Sequence, residues 1–162
     1  MGPKKGAKAW DTALLGLYGV AMMIMWIVAG LDLRYGWSSG ISPSAQILAL
    51  LIVIAGYALV VWATGTNAFF SQVVRIQTER GHTVIRSGPY RVVRHPAYVG
   101  MILVVVGAPI LLGSWWALIP GVISAVLMIV RTSLEDKTLQ AELPGYREYA
   151  QRTRYRLLPG VW

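Results

Sequence analysis

Cysteine is absent from this 162-residue chain. That excludes disulfides, thiolate metal sites and a cysteine nucleophile, and leaves the redox compartment open. Charge is scarce: 14% of residues are charged, against about 25% in soluble domains. Histidine occurs only twice, too few for most metal sites unless carboxylates join it, so no metal is expected. Motifs for the common nucleotide and hydrolase sites are missing as well. No Gly-x-Gly-x-x-Gly follows a strand, and there is no P-loop, no Gly-x-Ser-x-Gly and no His-Glu-x-x-His.

What the chain has instead is apolar sequence, 56% of its residues. The expected class is an all-α, polytopic membrane bundle of about four transmembrane helices. The net charge is +8, but the basic residues cluster between the apolar runs rather than on an aromatic-interleaved soluble face. Topology control and attraction to anionic lipid headgroups account for them better than nucleic acid does. The basic start, residues 1–8, reads as a cytoplasmic tail. The apolar stretch after it is too long for a signal peptide, and Gly2 lacks the hydroxyl residue that myristoylation prefers.

Residues 12–31 form an apolar run, with Asp11 as its expected N-cap and Asp32 and Arg34 in the loop that follows. A spanning helix needs roughly 20 residues. Ser42-Pro43 restarts a helix, Ser as N-cap and Pro at the first position, and Gly65 is its expected C-cap. Residues 66–94 cannot span: Arg75, Arg80, Arg86, Arg91, Arg94, Glu79 and His82 all fall there. The third run, residues 97–130, holds 34 residues without a charge. One straight helix of that length would measure about 51 Å against a hydrocarbon core of roughly 30 Å, so it folds back, with the break at Gly113-Ser114. Pro109 and Pro120 are expected to kink the arms, and Trp115 and Trp116 suit the headgroup belt. Leu134 onward reads as helix until Pro144-Gly145, residues 146–152 as a further turn or two, and 157–162 as an apolar end docked on membrane or body. The whole is one domain, 1–65 carrying two helices and 66–162 the core. Four crossings and the distribution of Lys and Arg place both termini and the middle segment on the cytoplasmic side.

The densest cluster is Gly88-Pro89-Tyr90-Arg91-Val92-Val93-Arg94-His95-Pro96-Ala97-Tyr98-Val99-Gly100. Gly-Pro reads as a turn and Pro96 as a first helical residue. Arg91 and Arg94 alone fit an interfacial collar, which does not explain a histidine and two tyrosines at fixed offsets. Two further patches share that face: Gln77 with His82-Thr83-Val84-Ile85, and Arg131 with Glu135. The last pair is four apart on one helix face, so a plain ion pair is the alternative to a site. Aromatic faces and a carboxylate near lipid would attract a sulfonium or other cation.

These residues resemble the isoprenylcysteine carboxyl methyltransferase family, within a wider group that includes phospholipid N-methyltransferases. The resemblance rests on Gly81-His82-Thr83-Val84, Gly88-Pro89-Tyr90, Arg94-His95-Pro96-Ala97-Tyr98-Val99-Gly100, the hairpin, Arg131 with Glu135, and a tail with Tyr149 and Arg156-Leu157-Leu158-Pro159-Gly160. It implies a membrane methyltransferase using S-adenosyl-L-methionine. The implied cofactor contacts are Gln77, His82, Thr83, Val84, Ile85, Tyr90, His95, Pro96, Ala97, Tyr98 and Glu135. Arg131 is implied to face a lipophilic acceptor, and Arg131, Glu135 and His95 are the catalytic candidates. The family often carries paired glutamates where this chain has Glu135-Asp136, so no role is assigned to Asp136. A carboxylate acceptor would need no base, whereas an amine would have to lose a proton, to Glu135 or His95. The alternatives are an NADPH-dependent enzyme like the membrane sterol reductases, which resemble this core, and a non-catalytic membrane protein.

Overall fold

The computed structural model describes residues 8–38 and 40–162 and, among them, holds five α-helices and no strand. They are α1 (Ala9–Tyr35), α2 (Pro43–Thr66), α3 (Pro96–Leu111), α4 (Leu118–Glu142) and the short α5 (Tyr146–Arg152). α1, α2 and α4 are long and apolar enough to cross a membrane; α3 is apolar but has 16 residues, about 24 Å. α2 packs chiefly on α3, and α4 on both α1 and α3. Large apolar side chains on α1 (Leu17, Met23, Trp26) and α2 (Ile47, Leu51, Ile54) point outward. So much exposed apolar surface belongs against lipid.

The Gly113 break sits where the hairpin needs it. α3 ends at Leu111, Gly113 takes φ +78°, and α4 begins at Leu118. Pro109 lies in the last turn of α3, and Pro120 in the first turn of α4, where a missing N–H leaves nothing unmet. Ser42 caps α2 as expected, its hydroxyl accepting from the Ala45 N–H, and Pro96 opens α3.

Helix ends depart from expectation in three places, each for a reason that lies outside the local sequence. Asp11 does not cap α1. The helix begins two residues earlier and Asp11 is buried in its first turn, drawn inward by Arg131 and the Val74 N–H. Asp32 and Arg34 are helical, not loop. Buried Asp32 accepts from the Ser38 N–H and hydroxyl and from the Ser114 hydroxyl, tying α1 to the hairpin turn. Gly65 does not end α2. The Thr64 and Thr66 hydroxyls and the Asn67 N–H satisfy the last carbonyls, and the helix runs through to Thr66.

The two ends of the bundle therefore differ. One carries the Asp32–Ser38–Ser114 cluster. The other gathers Lys8, the 67–94 segment, the end of α4 and the tail: Lys8 donates its N–H to the Val74 carbonyl and pairs with Glu142. Lys4 and Lys5 lie outside the described residues. The tail docks on the protein itself, the Arg94 and His95 N–H groups donating to the Tyr155 and Arg156 carbonyls at 2.9 and 3.0 Å, with Leu157 buried against Tyr98 and Met128.

α2 and α3 approach at two glycines. A Cβ on Gly56 would lie 2.7 Å from the Gly100 carbonyl oxygen, and one on Gly100 would meet the Gly56 carbonyl and the Val60 side chain. Gly100→Val is expected to lower stability by about 1–3 kcal/mol, whereas Gly65→Ala, at a helical position with open space around it, is expected to leave it unchanged or raise it by up to about 1 kcal/mol. Thermal unfolding of both variants in detergent checks the contrast.

Candidate functional site

The polar end of the bundle encloses a cavity of about 770 Å³, its open mouth included. Its walls come from three directions. The 67–85 segment supplies Phe69, Phe70, Val74, Arg75, His82, Thr83, Val84 and Ile85; the start of α3 supplies His95, Ala97 and Tyr98; and α4 and α5 supply Glu135, Leu139, Leu143, Tyr146 and Tyr149. Tyr90 closes the floor from the 3₁₀ turn Gly88–Arg91.

Each side chain is held by its neighbours. The Tyr90 hydroxyl donates to the Ala63 carbonyl and accepts from the Asn67 amide, both at 3.3 Å, while the Tyr149 hydroxyl holds the Tyr90 carbonyl at 2.7 Å. Burial raises the Tyr90 pKa, so the phenol stays neutral. The His95 and Tyr98 rings stack, centroids 5.7 Å apart and planes 2° from parallel. The Tyr98 hydroxyl donates to Glu135 Oε2. His82 packs on Phe69, centroids 4.6 Å apart. Burial, with Arg80 and Arg75 nearby, lowers its pKa.

Behind this wall lies Asp136, the acid the sequence left without a role. It is fully buried and collects Arg94 Nε at 2.8 Å, Arg94 Nη2 at 3.0 Å, Arg156 Nε at 2.9 Å, the Gln140 amide at 2.8 Å and the Tyr146 hydroxyl at 3.0 Å, with His95 Nε2 at 3.3 Å. Burial alone would lower the Arg94 pKa; the bond to Asp136 and its charge outweigh that and hold it above the ordinary value. Burial raises Tyr146, and the Asp136 charge raises it further.

Of the residues singled out from the sequence, His82, Thr83, Val84, Ile85, Tyr90, His95, Ala97, Tyr98 and Glu135 line the one cavity. Gln77 does not. It is buried behind the segment, donating to the Phe69 carbonyl and accepting from Arg80. Pro96 is buried at the start of α3 and shapes the turn rather than the wall. Arg131 does not pair with Glu135. Its Nε donates to Asp11 Oδ1 at 2.7 Å and its Nη2 to the Gln72 carbonyl at 2.7 Å, and its guanidinium lies 5.2 Å from the centroid of the Tyr98 ring. It stands behind Tyr98, one turn deeper into the bundle than Glu135. Sequence reasoning gave no site role to Arg75, Tyr146, Tyr149 or Asp136, of which the first three line the cavity. For the tyrosines the usable signal was their i,i+3 spacing just after the helix break.

The arrangement defines a polytopic helical membrane protein with a polar, aromatic-walled cavity at one end of its bundle. The model of the isoprenylcysteine carboxyl methyltransferase (ICMT) family matches residues 47–141, more than half of the chain, and the chain belongs to that family. The matched stretch runs from α2 to the end of α4 and contains most of the cavity wall. A curated relative, the cobalt-zinc-cadmium resistance protein CzcN of Cupriavidus metallidurans, is 33% identical over 81 residues, which cover 48% of this chain and 37% of that protein. The solved eukaryotic intramembrane Ras methyltransferase ICMT superposes with a TM-score of 0.68 at 22% identity, over 89% of this chain and 51% of that one. At that identity the likeness is one of fold. The chain spans about half or less of the length of each.

Two outcomes follow from the geometry. Asp136→Asn removes the only carboxylate that pairs with buried Arg94 among the described residues, at a cost of about 3–5 kcal/mol, visible as a large fall in the midpoint of thermal unfolding. His82 has a folded pKa below its ordinary value of about 6.5. The unfolded chain then binds the proton first, so His82's contribution is present above pH about 6.5 and is lost as pH falls through the folded pKa. His82→Gln flattens that part of a stability–pH curve measured between pH 8 and 5.

Proposed function

We propose that the chain is a methyltransferase that uses S-adenosylmethionine to methylate a lipophilic acceptor entering from the bilayer. The observation that carries this reading is the convergence of Tyr90, His95, Tyr98 and Glu135 on one cavity inside the family-matched stretch. The residues present suit that cofactor. Stacked aromatic faces and Glu135 suit a cation, and the buried Arg75 Nε, which has no partner among the described residues, suits an anionic group. S-adenosylmethionine, when bound, supplies a methyl group on a cationic sulfur.

The chain's own work is positioning and exclusion of water. Tyr90, Thr83, Val84 and Ile85 shape the seat for a planar group. Glu135, held by the Tyr98 hydroxyl, places negative charge beside the seat for a cation. Arg131 packs on Tyr98 one turn deeper into the bundle than Glu135 and would be the group offered to an incoming acceptor. A carboxylate of the prenylcysteine kind would turn to its guanidinium. An amine would give its proton to Glu135 or His95. The buried Asp11–Arg131 pair favours the second case, because Asp11 already neutralises Arg131. The cavity end carries Arg75, Arg80, Arg86, Arg91 and Arg94, whereas the described residues of the opposite end carry Arg34 alone. By the positive-inside rule the cavity then faces the cytoplasm.

S-adenosylhomocysteine is expected to raise the unfolding midpoint of the detergent-solubilised protein and NADPH to leave it unchanged. Stabilisation by NADPH alone overturns the reading. Membranes given methyl-labelled cofactor are expected to yield a labelled lipophilic product, base-labile for an ester and base-stable for an amine. Glu135→Gln is expected to lower the rate by about 100-fold or more.

A further inference from the structure

Arg75 lies on the segment between α2 and α3 and lines the cavity. Its Nη1 donates to Glu79 Oε1 at 2.8 Å. Its Nε is buried and has no hydrogen-bond partner, and among the described residues no other buried side-chain nitrogen or oxygen is left in that state. Leaving a charged donor buried and unmet costs more than an ordinary hydrogen bond returns. A site for an acceptor group that is not part of the protein accounts for it.

The other cations near the cavity are committed. Arg94 gives Nε and Nη2 to Asp136 and Nη1 to the Thr153 and Arg154 carbonyls. Arg131 gives Nε to Asp11 and Nη2 to Asp11 and the Gln72 carbonyl. His82 is half-buried among arginines that disfavour its charge. Arg75 alone combines a full positive charge, a place in the cavity wall and an unused donor. Guanidinium edges match carboxylates in geometry, and charge-assisted bonds of this kind are short and strong. Glu135, in the same wall, repels a carboxylate and attracts a cation. A molecule carrying both charges is thereby oriented, its carboxylate at Arg75 and its cationic centre toward Glu135.

We propose that Arg75 is a binding residue for a carboxylate within the cavity, and that this carboxylate is the amino-acid carboxylate of the methyl donor. The assignment rests on the cofactor reading above and adds to it a subsite that neither the resemblance nor the acceptor chemistry required. Arg75 holds the donor and touches no reacting atom. Its partner Glu79 fixes the Nη1 end and leaves the Nε edge for the ligand.

The test is isothermal titration of the full, detergent-solubilised chain with two probes. S-adenosylhomocysteine carries the amino-acid carboxylate; 5′-methylthioadenosine keeps the adenosine and thioether but lacks that carboxylate. Arg75→Gln is expected to weaken S-adenosylhomocysteine by about tenfold to a hundredfold and to leave 5′-methylthioadenosine within about twofold of the wild type. Arg75→Lys, which keeps the charge and loses the fork, is expected to fall between. Unchanged affinity of Arg75→Gln for S-adenosylhomocysteine overturns the proposal. So does an equal loss for both probes, because an effect that ignores the carboxylate belongs to the shape of the cavity. A wild-type protein that binds neither probe removes the methyltransferase reading and this subsite with it. Binding of both probes by the wild type without discrimination by the Arg75 variants removes the subsite alone.

Discussion

A single buried carboxylate, Asp136, organises the polar end of this protein. Taking a charge out of water and lipid headgroups is costly unless every lone pair is met, and Asp136 is met from four parts of the chain. Arg94 comes from the turn before α3, Gln140 from α4 itself, Tyr146 from α5 and Arg156 from the tail. Replacing such a cluster with apolar side chains could be just as stable, so its value here is geometric. It fixes where α3 begins relative to the end of α4, and that sets His95 and Tyr98 opposite Glu135.

The same logic recurs along α1. Lipid tails are as apolar as leucine, so hydrophobic burial does little to hold spanning helices together. Close approach and polar pairs take over. Asp11 pins one end of α1 to Arg131 of α4, and Asp32 pins the other to Ser114 in the hairpin turn. Among the described residues α2 and α3 share no ion pair; they meet through Gly56 and Gly100, with the Gln46 amide donating to the Leu111 carbonyl at 3.1 Å. Buried acids and small residues thus place the four apolar helices, and their outward faces are left to the bilayer.

The family-matched stretch, residues 47–141, ends one element short of the tail and starts after α1. The cavity wall lies mostly inside it, whereas Asp11, the buried partner of Arg131, lies outside it. The cavity wall and the pairing of Arg131 are therefore set by different parts of the chain.

Much was readable without coordinates. Three long apolar runs, the scarcity of charge and the Gly113-Ser114 break determine the membrane class and the helical hairpin, because a bilayer leaves the backbone few ways to satisfy its own hydrogen bonds. The offsets in residues 88–100 marked part of the cavity wall, since Gly88-Pro89 and His95-Pro96 impose a turn and a helix start on purely local grounds. Tertiary structure alone decided what each buried ion touches. Asp11 looked like a cap, Asp32 like a loop residue, Arg131 like a partner for Glu135 and Asp136 like a spare acid. Each instead pairs with a group between 6 and 120 positions away. Local propensity is set by neighbours within a turn or two, whereas the energy of a buried charge is set by whichever opposite charge or donor the folded chain brings to it.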